Sequence, residues 1–281
     1  MKTMLIPTDF SETSKNAALY GIRLGKQLKM NKIILYNAYE ILPVLEPSLN
    51  IPVMQIETFN LPDLKKSSEE NLENFRVELM QYCEDCMELD TLSEYGMVAR
   101  DINEVSKKNG VDIIVMGVTG AGKLAESLMG STAVDVARDS ELPVVIVPPL
   151  AEVSDVKEVM FACDFSKVKN TLPVTEIRNL LADTGANLLV VNIDHNNKHF
   201  TVDTPLETSL LDDLLAGCNP EYQFIDDADF VEGINRVALE KKVDLIITIP
   251  KKTGWFDGLF KKNHTKALAF HSHVPLMIIH E

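Results

Sequence analysis

Short runs that are apolar at every position, rather than at every second one, recur along the chain: Ile33 to Ala38, Val111 to Gly117, Leu142 to Val147, Leu188 to Ile193, Val243 to Ile249 and Val274 to Ile279. That pattern suits strands buried on both faces of a parallel sheet. Between the runs the spacing turns helical. After Asp9, the residues Ala17, Gly21, Leu24 and Leu28 fall on one face. Ile102 and Val105 do the same between Asp101 and Lys108, before Asn109 and Gly110 stop the helix; Ile234 and Val237 form a similar pair. Strand alternating with helix predicts doubly wound α/β architecture.

The pattern repeats. T-M-L-I-P-T-D-F-S (Thr3 to Ser11) returns 155 residues later as E-V-M-F-A-C-D-F-S (Glu158 to Ser166), which pairs Asp9 with Asp164, and the same offset pairs Asn37 with Asn192. Further on the offset is 132, matching Val111 to Gly117 with Val243 to Ile249 and Leu142 to Val147 with Val274 to Ile279. At roughly 150 residues per domain, 281 residues make about two units. The expectation is two domains, 1–149 and 150–281, divided after Pro148 and Pro149 and packed as an intramolecular pseudo-dimer through their last strands, since a long bare apolar edge invites aggregation. A homodimer is a further option. Pro43, Pro47, Pro52 and Pro62 make 41–62 a loop. An acidic helix is expected from about Ser67 to Leu89, with Glu69, Glu70, Glu73 and Glu78 on a solvated face.

Charge narrows the partners. There are 42 acidic against 27 basic residues, net -15, a field that repels a phosphate backbone or an anionic membrane. About five apolar residues precede Asp9, too few for a signal peptide, and no apolar run reaches membrane-spanning length. Four cysteines, Cys83, Cys86, Cys163 and Cys218, are too few for a disulfide framework and read as reduced thiols. The expected compartment is the cytoplasm.

In an open α/β sheet, ligands bind beyond the carboxyl ends of the strands. The segment M-G-V-T-G-A-G-K-L-A-E-S-L-M-G-S-T-A-V (Met116 to Val134) sits there, after one strand and before a helix. Gly117 and Gly120 let backbone approach an anion without an intervening Cβ. Gly130, Ser131 and Thr132 open a helix, where free N–H groups, two hydroxyls and the positive dipole end converge. Turn and capping roles without a ligand remain the alternative. Gly117-x4-Gly122-Lys123 also overlaps the start of a P-loop, but Leu124 stands where that motif needs a hydroxyl for Mg2+.

Gly117-x2-Gly120-x9-Gly130-Ser131 resembles the signature of ATP-binding universal stress proteins, and P-T-D-F-S-E-T (Pro7 to Thr13) resembles that family's first strand and turn. The resemblance spans nearly the whole chain as two tandem, Rossmann-like, nucleotide-binding domains. It implies a stress-response regulator that binds ATP with Mg2+ or Mn2+. Pro7, Thr8, Asp9 and Ala38 would lie beside adenine and ribose, and Met116, Gly117, Gly120, Gly130, Ser131 and Thr132 beside the phosphates. Asp9 is chemically able to accept hydrogen bonds from ribose or to meet a counter-ion, and equally able to cap a helix. Val118 and Thr119 depart from the small polar and basic residues often found in the family.

In the second copy the offset carries Gly117 onto Ile249, Gly120 onto Lys252, Gly130 onto Lys262, Ser131 onto Asn263 and Thr132 onto His264. The phosphate glycines are gone, so one nucleotide per chain is expected. Trp255, Phe256, Leu259 and Phe260 read as one face of a short helix, or as a surface for an unidentified protein partner. Cys83-x2-Cys86, His195 with His199, and His271 with His273 lack the ligands that complete a zinc site. No general base, second carboxylate or arginine finger accompanies the glycines. The rival functions are a slow ATPase or phosphotransferase at the same site and a ligand-free interaction protein.

Overall fold

The structure is a computed structural model that describes residues 2–40, 61–83, 87–118, 131–163, 168, 172–194, 204–249 and 273–280. Ten strands form one sheet: β1 (Thr3–Pro7), β2 (Lys32–Tyr39), β3 (Glu88–Tyr95), β4 (Ile113–Gly117), β5 (Val144–Val147), β6 (Glu158–Ala162), β7 (Asn187–Asp194), β8 (Glu221–Asp226), β9 (Leu245–Thr248) and β10 (Leu276–Ile278). Among the described residues there are seven helices: α1 (Glu12–Gln27), α2 (Leu61–Met80), α3 (Val98–Asn109), α4 (Ser131–Asp139), α5 (Val174–Thr184), α6 (Thr204–Leu214) and α7 (Phe230–Lys241).

The strand order is β3-β2-β1-β4-β5-β10-β9-β6-β7-β8. Eight of its nine pairings are parallel; β5 with β10 is antiparallel, with Leu276 opposite Ile146 and Ile278 opposite Val144. Val144 through Val147 are wholly buried, which is why this segment is apolar at every position. Successive residues serve opposite faces of the sheet. Met4 and Ile6 pack with α1, α2, α5 and α6 on one side, while Leu5 packs with α3, α4 and α7 on the other. The result is a helix–sheet–helix sandwich with two cores.

The sequence expectations need two corrections. The acidic helix begins at Leu61, with Pro62 tolerated in its first turn, and ends at Met80 instead of continuing to Leu89. Its buried stripe, Ser68, Leu72, Phe75 and Leu79, runs out there, and bonds from Tyr82 to Leu79 and Cys83 to Met80 tighten the chain into a turn. Leu89 belongs to β3. Both outermost strands, β3 and β8, escaped the reading because they carry charged residues such as Glu88, Asp90 and Glu221, as edge strands do.

Segment 148–156 crosses from β5 to β6 along α1. Asn16 donates to the carbonyls of Pro148 (3.3 Å) and Ala151 (3.2 Å), and Arg23 grips Asp155 at 2.8 Å. Gln27 exchanges two hydrogen bonds with the backbone of Val156.

Candidate functional site

The order β3-β2-β1-β4-β5 reverses direction between β1 and β4, and a crevice opens at their carboxyl ends. Four residues turn the chain from β1 into α1. The N–H of Thr8 continues the ladder to the carbonyl of Tyr36 (2.8 Å), and its hydroxyl accepts from the N–H of Phe10 (3.0 Å) while bonding Ser14 Oγ (3.0 Å). Phe10 is held at φ 64, a left-handed conformation uncommon for an aromatic residue. Its ring fixes that choice by packing edge-on against Phe75 of α2, with centroids 6.0 Å apart. Ser11 is the N-cap of α1 and accepts from the N–H of Ser14.

Asp9 is exposed at the tip of this turn, and its Oδ1 accepts from the Ser11 hydroxyl (2.6 Å) and N–H (3.1 Å). Desolvation pulls its carboxyl up, but the Ser11 hydroxyl and N–H, helped by Ser14, outweigh it and hold the group below its ordinary value. Asp9 is therefore an ionised acceptor at neutral pH. Behind the turn, Asn37 of β2 donates to the carbonyl of Thr8 (2.7 Å) and accepts from Ser68 of α2 (2.7 Å), whose hydroxyl also meets Ser93 of β3 at 2.7 Å. A polar chain thus ties the turn to three further elements.

Across the crevice, β4 ends at Gly117. A Cβ there would lie 2.8 Å from the backbone oxygen of Thr13, so the missing side chain lets α1 close against the end of β4. Gly117 is not among the positive-φ residues; it supplies room, not a left-handed turn. Helix α4 then begins at Ser131, and Thr132 is exposed in its first turn.

These elements enclose a cavity of about 200 Å³ lined by Pro7, Thr8, Asp9, Ala38, Met116, Gly117 and Thr132 from the expected set. Gly120 and Gly130 lie outside the described residues, as does the Lys123 of the overlapping P-loop; of Ser131 only the backbone is described. Sequence reasoning did not place Ser11, Thr13, Ser14, Asn37, Val98 and Ala133 on the lining. For Asn37 a signal existed, its recurrence as Asn192. Asp9 is the single charged group among the described lining residues, and no cluster of three metal-ligating side chains occurs among the described residues. Burial pushes the Cys83 thiol up, against the thiolate that zinc requires, and Cys86 lies outside the described residues.

The second half reproduces the frame of this crevice. The N–H of Cys163 bonds the carbonyl of Val191 (2.9 Å), and Asn192 donates to the carbonyl of Cys163 (2.9 Å), the counterparts of Thr8, Tyr36 and Asn37. The described helix α5 begins at Val174 behind Pro173, which makes no side-chain capping bond; Val168, between β6 and α5, is also helical, and its neighbours lie outside the described residues. Ile249, in the place of Gly117, is buried; Asp164, Pro250 and the segment with Trp255, Lys262 and His264 lie outside the described residues.

The profile of the Universal stress protein family matches residues 1–148, slightly more than half the chain. The chain belongs to the universal stress protein family. Universal stress protein MJ0577 of Methanocaldococcus jannaschii is 30% identical over 157 residues, which cover 52% of this chain and 94% of that protein. Universal stress protein YxiE of Bacillus subtilis is 29% identical over 148 residues, 51% of this chain and 97% of its own. A universal stress protein structure from Archaeoglobus fulgidus matches 99% of this chain and 96% of that one, with a TM-score of 0.72 at 19% identity, a likeness of fold. The family's Rossmann-like architecture thus extends over both halves. No described helix is long and apolar enough to cross a membrane.

Proposed function

We propose that this universal stress protein is an ATP-binding regulator with one nucleotide site, in the crevice between β1 and β4. The observation that carries the proposal is the convergence of Asp9, Ala38, Gly117 and the start of α4 on one cavity at the point where strand order reverses. In this reading Asp9 accepts from the ribose, Ala38 leaves space for the base, and the Gly117 backbone with the free N–H groups at Ser131 and Thr132 receives the phosphates. The cavity is smaller than the roughly 300–1,000 Å³ of typical ligand pockets, so it takes part of the nucleotide while the phosphates extend toward α4.

The described lining offers no basic side chain. Charge on the phosphates is therefore neutralised by backbone dipoles and by Mg2+ or Mn2+, which such nucleotides bring with them and which needs only one or two protein carboxylates. Asp9 is the carboxylate in place. Among the described lining residues a single carboxylate stands without a base, which favours binding and regulation over hydrolysis.

Residues 1–149 and 150–281 are proposed as two domains joined through β5 and β10 as a pseudo-dimer, the second serving a structural or regulatory role in a cytoplasmic protein. Equilibrium dialysis with labelled ATP tests the whole reading. A stoichiometry near one per chain, lost in Gly117→Val, is the expected result; a value near two, or binding that survives in Gly117→Val, would overturn it.

A further inference from the structure

Helix α4 carries Thr132 and Ala133 on the wall of the nucleotide crevice, and its far end is held from two sides. Asn103 of α3 donates to the carbonyl of Asp139 (2.7 Å) and accepts from the N–H of Glu141 (3.1 Å). In an unbroken helix that N–H would bond the carbonyl of Ala137. Here the Ala137 carbonyl, on a wholly buried residue, is met by the ring of His280 at 2.7 Å. A carbonyl only accepts, so Nε2 of His280 carries the proton. Arg138, at the same end, is taken up by Asp135 (3.0 Å) and Asp139 (2.7 Å).

His280 comes from the second half of the chain. It follows β10, which is paired on both sides and extended by a bond from the N–H of Ile279 to the carbonyl of Thr248 (3.1 Å). Ile278 packs in the same core as Ala133, Val136 and Ala137, and His280, two residues on, reaches the same side. The offset of 132 puts Pro148 at the matching position of the first half, a residue without a side-chain donor. In this contact the second half serves the first, and Pro148 cannot return it.

We infer that His280 is a positioning residue for the phosphate end of the nucleotide site, an inference that rests on the nucleotide reading above. Ala137 lies one turn from Ala133, so clamp and crevice wall are about 6 Å apart along the axis at 1.5 Å per residue. A helix of nine residues is too short to hold its shape alone. Fastened at Ala137, it presents the N–H groups of Ser131 and Thr132 in one place, and ATP binding does not have to order them.

Titration calorimetry of the full chain with ATP tests this in three variants. In His280→Ala the affinity should fall about fivefold or more. His280→Phe, which keeps the bulk of the ring and removes the donor, should lose as much, and it serves alone if the alanine variant does not fold. His280→Gln, whose amide nitrogen can donate to the same carbonyl, should return to within about twofold of the unaltered chain. Hydrogen exchange of the free protein should quicken over 135–140 in the donorless variants and stay unchanged in β1 and β4. Unchanged ATP affinity in His280→Phe, a loss that His280→Gln does not restore, or faster exchange spread through the sheet would each overturn the inference while the nucleotide reading stands. Absence of ATP binding by the unaltered chain would overturn both.

Discussion

The two crevices of this molecule share a backbone frame and differ in what stands on it. In both halves, the residue after the first strand bonds back to the second strand, and an asparagine on that strand holds its carbonyl: Asn37 on Thr8, Asn192 on Cys163. In the first half the chain then turns at once into a capped helix, Ser11 leading Glu12. In the second, the described helix α5 begins at Val174, without a side-chain cap. The lesson is that a strand-end asparagine belongs to the frame of the fold, whatever follows the strand it braces.

The sharpest way to break the comparison is to make the first crevice like the second at one position. Gly117→Val puts a branched side chain where even a Cβ would sit 2.8 Å from the Thr13 oxygen; it should cost about 2–3 kcal/mol in urea unfolding and leave no measurable ATP binding. Ile249→Val, at the matching buried position, should cost only about 1 kcal/mol and leave ATP affinity untouched, as titration calorimetry would show. Asp9→Asn should weaken ATP binding about tenfold, near 1.4 kcal/mol, whereas Asp164→Asn should not change it; equal effects would mean two sites. Asn37→Ala leaves the Thr8 carbonyl without its side-chain donor and the Ser68 hydroxyl with Ser93 alone, and should lower stability by about 1–2 kcal/mol with a several-fold loss in ATP affinity. Asn192→Ala should show a comparable loss of stability alone. The smallest effect concerns acid. The folded protein holds Asp9 below its ordinary pKa near 4, so its ionised form favours folding; that contribution is complete above this value and disappears as pH falls through the depressed one. Asp9→Asn should therefore flatten the loss of stability below about pH 4 in acid titrations followed by circular dichroism.

Much of the architecture was legible because burial on both faces leaves short, β-branched, all-apolar runs: Val144 to Val147 and Leu245 to Thr248 have no polar side to show except at Thr248. The outer strands β3 and β8 were not legible, since one neighbour and a wet edge permit Glu, Asp and Gln, and their sequence looks like loop or helix. Of the residues that line the crevice, Met116 and Gly117 came from the glycine motif after β4, and Asp9 and Ala38 from the family resemblance. Ser68, which bonds Asn37 from 31 residues away, was invisible, because nothing local marks a hydroxyl that serves a distant turn. Gly117 was singled out for its closeness to a ligand, and the contact it permits within the protein, with Thr13, follows only from how α1 lies across β4.

The antiparallel pair of β5 and β10 joins two surfaces on one polypeptide. Separate subunits meeting through such strands would associate in proportion to their concentration, and dilution would strand an apolar edge in water. Tethered by the segment that Asn16, Arg23 and Gln27 fasten to α1, the two strands face each other at a high local concentration at any dilution. Tethering also removes a constraint on change. In a symmetric dimer every substitution appears on both sides of the contact; here Ile249 can replace a glycine in one crevice while Gly117 stays in the other.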